Sequence, residues 1–338
     1  MADQKILRII ATNLKGPRWE INRLTEWDVT IDIATPANRF VVDIANPTGN
    51  YTELLGWGDK IELVSEFSNG SGREVIQTGY IDDIEEVYSV SEGGGIRIDC
   101  RDSGLLLIEN DAIPITHKKI SLKDLATKIF KECGLAINYK APTIMIDKKQ
   151  IRIGENGWDT IEEHALENDL RIWRIDNTYF LGKFQPWPDV VYTFADKPTG
   201  PKEIPILSIR KKTSGANRKS EIWAYRTGKK KGLVKEVDKT VPDKLKRRMV
   251  MSGAKTVGET KKMIKRQFAR NKIGTNEVEI VLKGTRVVRP GRKANIIKRL
   301  GVRGFNLQWV ISSVRYSCSV QNGEITTITC RPLEEVLG

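Results

Sequence analysis

Histidine is nearly absent: the 338 residues hold only His117 and His164. Cysteine is scarce too, with Cys100, Cys133, Cys318 and Cys330 and no Cys-x-x-Cys pair among them. That inventory argues against a zinc site and reads as four free thiols in the interior. No run of 18 apolar residues exists, so nothing reads as a membrane-spanning helix. The start, Met1-Ala2-Asp3-Gln4-Lys5-Ile6-Leu7-Arg8, mixes charge into a short apolar run, which is not a signal peptide. The expectation is a protein made in a cytoplasm, with no membrane anchor.

Catalytic signatures are missing as well. Ser103 follows Asp102, but no Gly-x-Ser-x-Gly elbow surrounds it, so the pair reads as a structural turn. Glu162-Glu163-His164 lacks the His-Glu-x-x-His spacing and reads as a solvated helix face. Asp82-Asp83 and Glu85-Glu86 could suggest paired carboxylates, yet alternation on a strand turns Asp83 and Glu85 outward and Ile84 inward. Gly93-Gly94-Gly95 has no Gly-Lys-Ser/Thr after it and is a turn, not a phosphate loop. No catalytic, cofactor-binding or metal-ligating residue is therefore assigned, and the chain reads as a non-enzyme.

What is present begins with a repeat. IDDIEEVYSVSEGGGIRIDCR, Ile81 to Arg101, lies without gaps on ISSVRYSCSVQNGEITTITCR, Ile311 to Arg331. Ile81 meets Ile311, Ile84 meets Val314, Gly93 meets Gly323, Ile98 meets Ile328, Cys100 meets Cys330 and Arg101 meets Arg331. Each copy reads as a β-hairpin. Gly58-Asp59-Lys60-Ile61 before the first copy matches Gly291-Arg292-Lys293-Ala294 before the second, each a turn glycine entering a strand. One repeat at this distance implies a duplicated domain, not a solenoid.

Three regions follow. Residues 1–112 are strand-rich: Lys5 to Ala11, Asp28 to Ala34, Arg39 to Ala45, Lys60 to Phe67, Val75 to Val87 and Gly95 to Cys100, read as a small antiparallel barrel or sandwich. Residues 113–186 form an α+β module. Ser121 caps a helix through Ile129 and Phe130 that Gly134 ends, a second helix follows Gly157, and Arg171 to Ile175 pairs with Thr178 to Lys183 across Asp176-Asn177. Gln185-Pro186-Trp187-Pro188 reads as the exit linker. Residues 187–338 return to strands: Val190 to Phe194, Ile204 to Lys211, Ser220 to Tyr225, Glu277 to Leu282, Ala294 to Arg299, Leu307 to Cys318 and Glu324 to Cys330. One basic helix, capped by Thr256 and Glu259, interrupts them. The stretch from Lys229 to Arg248 reads as a mobile basic loop. The fold class is thus mainly β, two related barrels around a small α+β module.

Charge is placed unevenly. Residues 1–186 hold 22 Lys and Arg against 30 Asp and Glu, and the rest hold 34 against 13. Such asymmetry points to a polyanion, an acidic protein surface, or self-association of unlike halves. Basic segments at Lys229–Lys231, Lys244–Arg248, Lys261–Arg270 and Arg289–Arg303 keep nucleic-acid binding as an alternative, although no RRM, KH, helix-turn-helix or zinc-finger pattern is visible. Two barrels per chain allow a trimer to set six alike barrels in a ring, each contact joining an acidic half to a basic one.

The chain resembles the baseplate hub proteins of contractile phage tails and phage-tail-like bacteriocins, the late-control-D type. The likeness rests on Phe40-Val41-Val42-Asp43-Ile44-Ala45-Asn46-Pro47, Gly79-Tyr80-Ile81-Asp82-Asp83-Ile84, Gly154-Glu155-Asn156-Gly157-Trp158-Asp159, Trp309-Val310-Ile311-Ser312-Ser313-Val314 and Cys330-Arg331-Pro332-Leu333-Glu334. It implies tail-tube-like barrels and a homotrimeric, pseudo-sixfold ring. Its implied partners are the hexameric tail tube protein or a tube initiator, the central spike and other baseplate proteins. It implies a place in a virion or tail-like particle assembled in the host cytoplasm, with nucleic acid only as channel cargo. With the second barrel reaching almost to Gly338, no fused lysozyme or spike is expected; an envelope-degrading enzyme is the remotest alternative.

Overall fold

The computed structural model describes residues 5–13, 16–67, 72–89, 93–215, 218–226, 232–239, 241, 247–254, 256–272, 275–297 and 308–336. The chain begins with seven strands: β1 (Lys5–Thr12), β2 (Arg18–Ile21), β3 (Leu24–Asp32), β4 (Arg39–Ala45), β5 (Lys60–Phe67), β6 (Glu74–Ser89) and β7 (Gly93–Arg101). They lie in the order β3-β4-β7-β6-β5-β1-β2. Alternation explains the inward face: Phe40, Val42 and Ile44 of β4 and Ile96, Ile98 and Cys100 of β7 are buried. All six expected strands are present. β2 was not expected, because four residues reading Arg-Trp-Glu-Ile are too few to show a period.

The middle region holds α1 (Leu106–Glu109), β8 (Thr116–Ser121), α2 (Leu122–Glu132), β9 (Ile137–Lys140), β10 (Met145–Gln150), α3 (Gly157–Glu167), β11 (Arg171–Ile175) and β12 (Thr178–Gly182). Ser121 Oγ accepts from the Asp124 amide at 3.0 Å, which caps α2 as its sequence predicts. Leu125, Ala126, Ile129, Phe130, Trp158 and Ile161 close a separate core between the two helices and the β11-β12-β9 sheet.

The last region contributes β13 (Trp187–Ala195), β14 (Glu203–Pro205), β15 (Ser208–Thr213), β16 (Glu221–Tyr225), β17 (Leu233–Val237), β18 (Arg248–Ser252), α4 (Val257–Lys272), β19 (Asn276–Lys283), β20 (Arg292–Ile297), β21 (Trp309–Ser319) and β22 (Gly323–Pro332). Several expectations are corrected here. Trp187 opens β13 and belongs to no linker. The run Ile204 to Lys211 is two strands, not one: β14 pairs with β13 and β15 with β19. Pro205, which has no amide to donate, ends the first of them. The stretch read as a basic loop contains β17 and ends where β18 begins. These flank β16 in a sheet of their own, with Ile222, Ala224, Val234 and Ile264 of α4 as its core. Lys229–Lys231 and Lys244–Lys246 lie outside the described residues, as do Arg299 and Leu307.

The two strand-rich regions are not separate bodies. β21 pairs with β3, so fourteen strands make one sheet. One apolar core runs through both, from Phe40, Ile98 and Cys100 to Val278, Ile328 and Cys330. Cys100, Cys133, Cys318 and Cys330 are all free thiols, and burial pushes the pKa of each upward. No helix among the described residues is long and apolar enough to cross a membrane.

Candidate assembly interface

The repeated hairpin recurs in register as well as in sequence. Ile81 faces Cys100, Asp83 faces Asp99 and Ile84 faces Ile98, with a bulge at Asp82. Ile311 faces Cys330, Ser313 faces Thr329 and Val314 faces Ile328, with a bulge at Ser312. A bulge adds a bend and local twist at one place, so two copies bulged at aligned residues follow the same path. The entering turns match too. Gly58 donates to Ile81 O at 2.9 Å and Gly291 to Ile311 O at 2.8 Å, with φ of 81° and 80°. That left-handed conformation is one a side chain rarely tolerates, which is why glycine stands at both sites.

The equivalence extends to the neighbours. Val42 lies between Ile98 and Trp27, and Ile280 lies between Ile328 and Ile209. β3, β4, β5, β6 and β7 therefore correspond to β15, β19, β20, β21 and β22. Residues 33–38 join β3 to β4, whereas 214–275 join β15 to β19 and build the basic insertion with β16, β17, β18 and α4. The match is not complete: β1 runs antiparallel to β5, but β13 runs parallel to β20.

The joint between the copies is a strand pairing. Beyond its bulge, β21 sets Val314 opposite Ile31, Arg315 opposite Thr30, Tyr316 opposite Val29 and Cys318 opposite Trp27. Val29, Val314 and Tyr316 are fully buried. On the outer face the Arg315 guanidinium Nε donates to both Asp28 carboxylate oxygens, at 2.9 and 3.0 Å. The equivalent edges of the other two strands carry no further strand among the described residues. From Asp83 onward β6 pairs only with β7, and β15 pairs only with β19, among the described strands. Tyr88 and Val87 on the first edge are 80% and 51% exposed.

A third contact locks the middle region to both copies. Asp102, read from the sequence as a turn residue, is buried and accepts from Asn38 N at 2.9 Å, Gly104 N at 2.9 Å and Gln77 Nε2 at 3.1 Å. Arg174 of β11 closes on the same carboxylate at 2.5 Å, with both side chains almost wholly buried. The Arg174 amide donates to Ile33 O at 2.9 Å. Beside it Trp173 packs with Ile33, Ile175, Phe180, Val310 and Val336, residues drawn from all three regions. Ser103 lies in the short helical turn after Asp102.

Tyr179 belongs to this joint. Its hydroxyl donates to Pro36 O at 3.0 Å, and burial pushes its pKa up to about 12 from an ordinary 10. The folded chain therefore keeps the phenol proton after the unfolded chain has lost it. Stability present below pH 10 is lost as the pH rises from 10 to 12. Denaturant titrations across that window should show the decline, and Tyr179→Phe should make it shallower, the remainder belonging to Tyr316 and the raised thiols, while lowering stability at neutral pH.

The other residues singled out do not converge. Asp82 pairs with Arg101, while Asp83 and Glu85 are exposed and Ile84 half-buried, as alternation requires. Lys149 holds Glu155 and Glu163 at 2.6 and 3.0 Å, and His164 Nδ1 lies 2.9 Å from Glu167. No metal-holding group of His, Cys, Asp and Glu exists among the described residues. Several of the basic groups are engaged inside the chain. Arg289 donates to Val75 O at 2.7 Å, Arg292 pairs with Asp176 at 2.8 Å, Lys261 lies 3.4 Å from Glu236, and Lys235 and Arg248 each lie over the Trp223 ring.

No family model and no curated protein matches the sequence. Solved structures do match the fold. A tail protein from Neisseria meningitidis aligns with a TM-score of 0.74 at 19% identity, over 98% of this chain and 99% of that one. The 43 kDa tail protein of prophage MuSo2 from Shewanella oneidensis aligns with a TM-score of 0.75 at 14% identity, over 99% and 100%. An Escherichia coli component of the type VI secretion system, described as similar to T4 bacteriophage tail proteins gp27 and gp5, aligns with a TM-score of 0.62 at 10% identity, over 98% and 78%. The chain has the fold of these tail proteins over essentially its whole length.

Proposed function

We propose that the protein is a non-enzymatic structural hub of a baseplate, in a contractile phage tail or a tail-like injection particle. Three chains form a ring of six alike β units. The ring offers a hexameric tail tube or tube initiator a near-sixfold face, and offers the central spike a threefold one. Its mechanism is geometric: it adapts symmetry, seeds the tube, and holds the spike until contraction drives it forward. The observation that carries this reading is the second copy of one bulged β unit, joined edge to edge with the first, in a fold shared with phage tail proteins. Nucleic acid enters only as cargo of the channel. The region after Trp187 is the basic partner in each contact between neighbouring chains.

The purified chain should behave in solution as a particle of three times its 38.2 kDa mass, and negative-stain images should show a threefold ring with an open centre. Raising salt from about 0.1 M to about 1 M shortens the screening length from ~10 Å to ~3 Å and should shift the trimer towards monomer. Light scattering that finds a monomer at low salt, unchanged by concentration, overturns the proposal.

A further inference from the structure

The charges on the two kinds of strand edge are inverted between the copies. We infer that this inversion makes β6 of one chain pair with β15 of the next, and makes edges of the same copy reject one another. The inference rests on the trimeric reading above and specifies its contact.

The register follows from the joint inside the chain. β6 corresponds to β21 and β15 to β3, so the pairing of β21 with β3 can be carried onto the two edges that no described strand occupies. It sets Ile84 opposite Thr213, Glu85 opposite Lys212, Glu86 opposite Lys211, Val87 opposite Arg210 and Tyr88 opposite Ile209. Tyr88, the most exposed of these apolar side chains, lands on half-buried Ile209, just as Cys318 lands on Trp27. An edge strand with unpaired amides and carbonyls is a ready template for such addition.

The outer face of the joint decides which edges may meet. Inside the chain the diagonal pair is Arg315 on the β21 side and Asp28 on the β3 side. The equivalent residues are Glu85 on β6 and Arg210 on β15, the same pair with its signs exchanged. Opposite charges across neighbouring strands stabilise, and like charges oppose pairing. β6 laid on β3 of another copy would set Glu85 against Asp28. β21 laid on β15 would set Arg315 against Arg210. Only the alternating order, first copy to second copy around the ring, satisfies every pair. The joint is head-to-tail, so it closes into a ring only if the rotation per chain allows it.

The test is a charge exchange. Glu85→Arg and Arg210→Glu should each raise the dissociation constant of the trimer by roughly tenfold or more, because each opposes like charges at every interchain joint. The double variant should restore assembly to near the original. Both positions are exposed, and circular dichroism melts should show that each variant folds. As a second measurement, Ile84→Cys with Thr213→Cys should give a disulfide-linked trimer on a non-reducing gel, since directly paired strand residues lie within disulfide reach. A wild-type chain that stays monomeric removes the trimer reading itself. A trimer that both single variants leave intact, that the double variant fails to restore, or that the cysteine pair does not link overturns this inference alone.

Discussion

Replacing Asp102 with alanine should destabilise the folded chain by about 3–5 kcal/mol, the range for removing one partner of a buried ion pair. The reason is the company the carboxylate keeps. It is the acceptor for the Asn38 and Gly104 amides and the Gln77 side chain, and it balances Arg174. Without it the Arg174 guanidinium stays buried, with Asp176 O, Asn177 Oδ1 and Tyr179 as its remaining partners among the described residues. Urea unfolding followed by circular dichroism should show the midpoint fall. The double variant Asp102→Ala with Arg174→Ala should lose less than the two single losses added together, because the second change removes a charge the first had stranded. A single variant within about 0.5 kcal/mol of wild type would mean that the pair does not join the regions.

Trp173→Ala should cost about as much, roughly 3–5 kcal/mol, by emptying a large core site. The indole stacks on Phe180 with centroids 5.4 Å apart and meets Phe184 edge-on at 5.5 Å. It also packs with Ile33 from the first copy and with Val310 and Val336 from the second. The loss should therefore appear as weakened docking of the middle region as well as reduced stability. Limited proteolysis should cut around residues 113–186 earlier than in the wild type, while the β units persist. Trp173→Phe, which keeps most of the ring contact, should lose less; equal loss from both variants would point away from cavity formation.

Arg174 and Trp173 show what a single strand can and cannot disclose. β11 reads Arg-Ile-Trp-Arg-Ile, and four of its five residues are buried. A charged residue inside so apolar a strand is a legible sign of a buried partner. Which carboxylate answers it is not legible, since Asp102 lies far away in sequence and has the look of turn chemistry. Asp102 was read from its neighbours Ser103 and Gly104, and the contact that governs it comes from another region. The basic segment from Lys229 to Arg248 failed differently. Its lysines suggested a loop, but Leu233–Val237 pairs with Glu221–Tyr225, and α4 covers that sheet. Short strands with low apolar content take their structure from the sheet they join, which local propensity does not record.

The sequence by itself determined the strand and helix periods, the caps at Ser121 and Thr256, and the duplication. These depend on neighbours a few residues apart, or on comparing the chain with itself. Only the tertiary structure decided that the copies share one sheet through β3 and β21, that Asp102 and Arg174 bind the middle region to the first copy, and that no described strand pairs with two equivalent edges. Those facts concern which distant strands meet. A strand's residues specify the face it buries, but not the partner that completes its backbone hydrogen bonds.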